Sequence, residues 1–201
     1  MSYRSVSPGA LLAPVPAVLV TVTDQAGKPN TLAVAWTGIV CSKPPMLSIS
    51  VRKERYSHSL IADRREFTVS LVSKDLFPVL DLCGVRSGRD TDKFALCGIR
   101  PTKTAGAFSA PAVEGTPLYL NCRVASVQEL GSHDLFIASI IDIGVREDLI
   151  DRAGRIMMEK ADLIAYCHGV YYGLSEALGF FGYTVAAPEV LERRMNALRE
   201  R

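Results

Sequence analysis

Alternation of apolar and polar positions dominates the chain. Val18-Leu19-Val20-Thr21-Val22-Thr23 is β-branched and ends at Asp24-Gln25-Ala26-Gly27-Lys28, a polar turn with the glycine such turns favour, so it predicts a strand. From residue 31 onward, Leu32, Val34 and Trp36 alternate with Thr31, Ala33, Ala35 and Thr37. That stretch reads as one strand stopped by Pro44-Pro45, which cannot donate to a sheet ladder. It puts the chain's only tryptophan on one face and nothing larger than threonine on the other. Met46 to Arg52 and Phe67 to Val72 alternate again. Leu118 to Leu130 and Asp134 to Ile143, joined around Gly131-Ser132, read as a hairpin. Tyr166 to Thr184 is aromatic and glycine-rich and reads as two short strands.

Helical signals are fewer. Ser57 is a candidate cap for a short helix reaching about Arg65, and Ser73 for another ending at Gly84. Asp90 to Leu96 is a third, closed by Gly98. Pro188 to Arg201 predicts an amphipathic helix with Val190, Leu191, Met195 and Leu198 on one side. Thr102 to Pro117 is a long loop. Residues 1–201 read as one domain, with 187–201 as a helical tail. Six or more strands in hairpin-like order, with few helices, predict an antiparallel barrel with helices packed outside. A small barrel fills its own interior, so a ligand belongs on the outside or between subunits.

Composition narrows the function classes. Net charge is +2 and both signs are mixed along the chain, which points away from nucleic acid and anionic membranes. Five cysteines without C-x-x-C spacing argue against a disulfide framework and suit a reducing, cytoplasmic setting. With only three histidines to add, no metal site is expected. The apolar run from Ala10 to Val22 is interrupted by Pro14 and Pro16, so it does not read as a leader. No apolar run reaches the ~20 residues needed to span a bilayer.

Nucleotide and nucleophile signatures are missing: there is no G-x-x-x-x-G-K-[ST], no G-x-G-x-x-G and no G-x-S-x-G. Gly84-Val85-Arg86-Ser87-Gly88-Arg89 follows a helix and is not read as a phosphate loop. Arg52, Lys53, Arg55, Ser57, His58 and Ser59 crowd a helix start, where free N–H groups and the helix dipole favour an anion. Read alone, that cluster is a capped, solvated helix end. Read alone, Lys93 is a surface lysine, His133 a turn residue, Trp36 a core residue and Cys41 structural.

Together these pieces resemble the flavin reductase-like proteins with an FMN-binding split barrel, in their flavoredoxin branch. The resemblance runs from about Pro14 to Tyr183. It is carried by Pro14-x-Pro16 before Val18-Leu-Val-Thr-Val, by Asn30 followed by Ala35-Trp36-Thr37, and by the Pro44-Pro45 break. Ser57-His58-Ser59-Leu60-Ile61, Phe67-Thr-Val, Asp92-Lys93-Phe94 and Gly131-Ser132-His133 continue it. It implies a mainly β fold, an antiparallel split β-barrel with a few peripheral helices, and a homodimer binding FMN near its interface. Asn30, Trp36 and Thr37 would lie along the flavin, and Lys53 and Ser57 would hold its phosphate. Lys93 and His133 would be the catalytic pair, reaching the ring or a nicotinamide beside it, and Tyr166 a late aromatic near the ring, with Tyr171 and Tyr172 as rivals. The small face Thr31, Ala33, Ala35, Thr37 would make room for the ring. Serine stands at 57 where threonine is common, and at 132 where an acid often precedes the histidine. The implied activity is an oxidoreductase with NAD(P)H as donor. The alternatives are an electron carrier reduced by a redox partner protein and a flavin-free binding module.

Overall fold

The structure, a computed structural model, describes residues 1–106 and 108–199. Twelve strands form: β1 (Val15–Pro16), β2 (Val18–Thr23), β3 (Pro29–Val34), β4 (Thr37–Ser42), β5 (Pro45–Arg52), β6 (Glu66–Leu71), β7 (Pro101–Thr102), β8 (Ala112–Val113), β9 (Leu118–Glu129), β10 (His133–Val145), β11 (Ile164–Cys167) and β12 (Val170–Gly173). The helices are α1 (Tyr56–Arg64), α2 (Phe77–Val85), α3 (Lys93–Cys97) and α4 (Pro188–Arg199). Strand accounts for 38% and helix for 23%, so the fold is mainly β.

Seven strands form one antiparallel sheet in the order β3-β2-β6-β9-β10-β5-β4. Its two edge strands are consecutive in the chain, joined only by Ala35 and Trp36. Ser50 N donates to Trp36 O at 2.9 Å, which draws that junction against β5 and closes the barrel. The junction corrects the expectation of one strand from Asn30 to Pro44. The chain must leave β2 as its partner and take up β5, so the strand ends at Val34 and restarts at Thr37.

The barrel interior is apolar and continuous. Val18, Val20 and Val22 of β2 meet Ile49, Phe67 and Phe136 there, and Ile61 of α1 plugs one end. Burying each such side chain contributes about 1.5–3 kcal/mol. The opposite face of β2 is buried as well. Leu19 packs outward with Leu80 and Cys83 of α2 and Phe94 of α3, so β2 has no solvent face. This second cluster fixes α2 and α3 against the outer faces of β2 and β3.

Helix starts differ from expectation. Arg55, not Ser57, is the N-cap of α1, and no side chain caps it; Ser57 lies inside the first turn, buried. Ser73 precedes a 3-10 turn at Lys74–Leu76, also without a side-chain cap. Asp92 does cap α3, accepting from Ala95 N, and Gly98 closes it in the left-handed region. On α4 the four apolar residues are half-buried, and Arg194 stacks 4.2 Å from the Phe180 ring centre. Among the described residues no helix is long and apolar enough to cross a membrane.

Candidate functional site

Where β3 gives way to β4, two clefts open on the outside of the barrel. The first, about 410 Å³, is lined by Ala33, Ala35 and Trp36, by Ser50 and Arg52 of β5, by Gly84 of α2, and by His133, Tyr166 and Tyr171. The second, about 460 Å³, is lined by Asn30, Ser57, Arg86, Ser87, Gly88, Arg89 and Lys93, with the acids Glu54 and Asp90 outnumbered by its basic residues. Leu32, Arg52 and Arg55 line both, so the two are chambers of one site. Each has the size of an ordinary small-molecule pocket.

The first chamber is aromatic. Continued alternation would send Trp36 into the barrel with Leu32 and Val34. The strand break turns it out instead, 46% exposed, with its ring centre 4.6 Å from that of His133. His133 opens β10 directly opposite Arg52 on β5. Tyr166 and Tyr171, paired across β11 and β12, face each other at 5.2 Å. Both line the chamber, whereas Tyr172 lines a separate apolar depression with Phe77.

The small face of β3 is divided in its use. Thr31 is fully buried beneath α3, and a Cβ added to Gly84 of α2 would lie 3.4 Å from Ala33 Cβ, ordinary contact that leaves no spare room. Ala33 and Ala35 reach the chamber wall. Thr37 is on the far side of the break, where Oγ1 donates to Ser48 O at 2.8 Å, and it does not line either chamber. The expected face of four small residues is therefore two residues of wall and one of packing.

The second chamber is cationic and has a buried polar floor. Asn30 Nδ2 donates to Ser57 Oγ at 2.6 Å, and Ser57 is only 1% exposed. The loop after α2 is pressed onto this pair. A Cβ at Gly88 would overlap Asn30 Oδ1 and approach Tyr56 Cδ1 to 2.8 Å, so only glycine fits there. That loop was not expected at a site, yet Arg86 and Arg89 line the chamber and have no hydrogen-bond or ion-pair partner for their side chains among the described residues. Arg55 Nη1 donates to Gly84 O at 3.0 Å, tying the start of α1 to the end of α2.

Two expectations from the lysines change. Lys53 is absent from both linings: its Nζ is 2.8 Å from Glu129 Oε2 and 3.4 Å from Asp134 Oδ1. The turn that follows Arg52 sends it toward the β9–β10 hairpin, while the neighbouring Arg52 and Arg55 line both chambers. Lys93 is not a surface lysine. It is 4% exposed, and its Nζ donates to Thr31 O at 2.8 Å and Cys83 O at 2.9 Å. It lies at the cationic chamber, away from the aromatic wall.

Residues 11–175 match the family model described as a flavin reductase like domain. The chain belongs to the flavin reductase-like family. The flavoredoxin of Desulfovibrio vulgaris (Miyazaki F) superposes with a TM-score of 0.82 at 31% identity, covering 89% of this chain and 97% of that one. The NADH:riboflavin 5′-phosphate oxidoreductase of Streptomyces pristinaespiralis is 27% identical over 134 residues, 64% of this chain and 69% of that protein. The high molecular weight rubredoxin of Moorella thermoacetica is 28% identical over 107 residues, 53% of this chain. The chain spans only 45% of that rubredoxin's length.

Electrostatics of this flavin reductase-like site follow from burial. Burial lowers the His133 pKa and the Arg52 guanidinium lowers it further, against a smaller opposing pull from Glu54, which favours the neutral imidazole. Ser132 Oγ lies 2.9 Å from its Nδ1. Burial also lowers the Lys93 pKa, while the two backbone carbonyls accept from its ammonium. Burial pushes the Cys83 and Cys122 thiols up to about 12, so neither is a nucleophile at neutral pH. Among the described residues no group of three His, Cys, Asp or Glu side chains is placed to hold a metal.

Proposed function

We propose that the two chambers together hold one FMN and that the protein is an NAD(P)H-dependent flavin reductase. The ring belongs in the aromatic chamber, and the phosphate belongs at the uncapped first turn of α1. The observation that carries this is the continuity of an aromatic chamber with a cationic one across Leu32, Arg52 and Arg55. A flat, weakly polar ring joined to a phosphate matches that sequence of environments. FMN, when bound, supplies the redox chemistry; the protein binds, orients and tunes it.

Each residue has a definite part in this reading. Ser57 Oγ already accepts from Asn30, so its own hydroxyl hydrogen is left for a phosphate oxygen. Arg55, Arg86 and Arg89 supply positive charge around that oxygen, and Lys93 adds a fixed cation in the chamber floor. Trp36, Tyr166 and Tyr171 exclude water from the ring. Arg52 is the cation nearest the aromatic wall and takes over the stabilising role that a protonated His133 would have had. His133 acts as a neutral hydrogen-bonding ring. Its Nδ1 is near Ser132, which leaves Nε2 for the nicotinamide or the flavin edge. The edge strand β4 exposes Ile39 and Val40, and we place the homodimer contact there; sedimentation of Ile39→Glu against the unmutated chain tests it.

A second reading is favoured by the likeness to flavoredoxin: the FMN stays bound and a partner protein reduces it. One experiment separates the two. The protein is incubated with FMN, desalted, and mixed with NADH or NADPH without oxygen while the flavin band near ~450 nm is followed. Retention with bleaching supports the reductase, and retention without bleaching supports the carrier. Fast nucleotide oxidation only when FMN is added back makes flavin a substrate. No retention and no turnover removes the flavin reading and leaves a binding module.

A further inference from the structure

Directly behind the site, strand β10 carries two neighbouring residues with opposite duties. His133 has the outer parity and stacks on Trp36. Asp134 has the inner parity, opposite Val51 and in line with Phe136 and Ala138, at the barrel end plugged by α1. It is 5% exposed. Its Oδ2 lies 2.8 Å from His58 Nε2, and its Oδ1 lies 3.4 Å from Lys53 Nζ without a hydrogen bond. His58 sits edge-on to Phe136, ring centres 5.3 Å apart, and follows Ser57 in the first turn of α1.

A carboxylate at the end of an apolar row is a poor choice for stability alone, because buried ion pairs often contribute less than apolar residues of similar volume. What such a pair does supply is direction. The 2.8 Å contact from His58 to strand β10 adds a directional restraint on the barrel side of α1, beside the Asn30–Ser57 and Arg55–Gly84 bonds on its outer side. Burial works to raise the Asp134 pKa, but the His58 and Lys53 contacts outweigh it and hold the group below the ordinary aspartate value. Glu129 shares Lys53 with it, which leaves His58 as its one close hydrogen-bonded partner.

We infer that Asp134 is a positioning residue which, through His58, sets the rotation of α1 and so aims Ser57 and the first-turn N–H groups at the phosphate. This rests on the flavin reading above. It assigns the pair to the phosphate end of the site and not to the ring end, although Asp134 adjoins His133 in sequence.

Riboflavin has the ring of FMN without its phosphate, and it separates these roles. Both flavins are titrated by fluorescence quenching against the unmutated chain, Asp134→Asn, His58→Gln and the double variant, with thermal unfolding alongside. The expected result is a dissociation constant for FMN raised about tenfold or more in each single variant, with riboflavin unchanged within about twofold. The double variant should lose no more than Asp134→Asn alone, as a pair acting as one unit requires. Equal losses for FMN and riboflavin, additive losses, or no loss would each overturn the inference. If Asp134→Asn fails to fold, His58→Gln is read by the same split. An unmutated chain that binds neither flavin overturns the flavin reading and this inference together; one that binds both, with no split in the variants, overturns this inference alone.

Discussion

The two chambers of the site are built from different materials. The aromatic chamber is walled mainly by strands, with Ala33 on β3 and Ala35 just after it, Ser50 and Arg52 on β5, His133 on β10 and Tyr166 on β11, and Leu80 and Gly84 of α2 complete it. Its shape is set by the barrel, whose interior is packed without a polar break from Val18 to Phe136. The cationic chamber is walled by a helix start and a loop, with Asn30, Leu32, Ser57 and Lys93 buried in its floor. On the flavin reading, the barrel sets where the ring lies, while exposed side chains such as Trp36 in one chamber and Arg86 and Arg89 in the other adjust how tightly each binds.

The largest effect expected breaks the distinction altogether. Phe67→Ala empties the centre of the barrel and should cost about 3–5 kcal/mol of stability, measured by denaturant unfolding. It should weaken FMN and riboflavin alike. Gly88→Ala is next: the added methyl collides with Asn30 and Tyr56, an overpacking worth about 1–3 kcal/mol, and calorimetric FMN titration should show the loss with riboflavin spared. Removing both loop arginines, Arg86→Ala with Arg89→Ala, should leave unfolding unchanged. It should raise the FMN dissociation constant about tenfold, the scale of one charge-assisted hydrogen bond. Trp36→Ala sharpens the other side. Nearly half exposed, it should hardly alter unfolding, and it should weaken both flavins by about 0.5–1.5 kcal/mol of lost ring contact.

The smallest effect concerns His133. Its pKa is lower folded than unfolded, so the unfolded chain binds the extra proton more readily as pH falls. Stability should therefore be fully present above about pH 6.5 and should decline as pH drops from there through the folded pKa. Melting curves of His133→Gln should lack that decline, and a steeper decline in the variant would contradict the assignment.

Much of the barrel was legible because alternation is local. Val18–Thr23, Met46–Arg52, Phe67–Val72 and the hairpin around Gly131 lie within a residue or a few of β2, β5, β6, β9 and β10. The break at Ala35–Trp36 was illegible because alternation runs straight through it. What changes there is the pairing partner, and pairing is a long-range property that no periodicity encodes. The same limit explains the site. Family resemblance brought Asn30, Trp36, Ser57, His133 and Tyr166 to the two chambers, along with Lys93, whose burial the sequence hid. Lys53 lies outside both linings and its neighbours Arg52 and Arg55 lie within them, since a turn just past a strand end loses the parity that would have told them apart. Arg86 and Arg89 carried a usable signal, two basic residues flanking Ser-Gly after a helix, but the segment lacks the glycines of a phosphate loop.

The two-residue junction between β3 and β4 has a consequence for how such a protein can vary. A connector of two residues spanning two edges of one sheet has no slack. One inserted residue would slide β4 against β5 or displace Ala35 and Trp36 from the chamber wall. The loop after α2 is pressed onto Asn30 of β3 at Gly88, but its exposed Arg86 and Arg89 can be exchanged without disturbing any strand. Descendants or engineered forms of this chain therefore have one rigid gauge and one free variable. If the first chamber takes the ring as proposed, its width is inherited with the barrel, while the charge of the second can be rewritten in a single exposed loop.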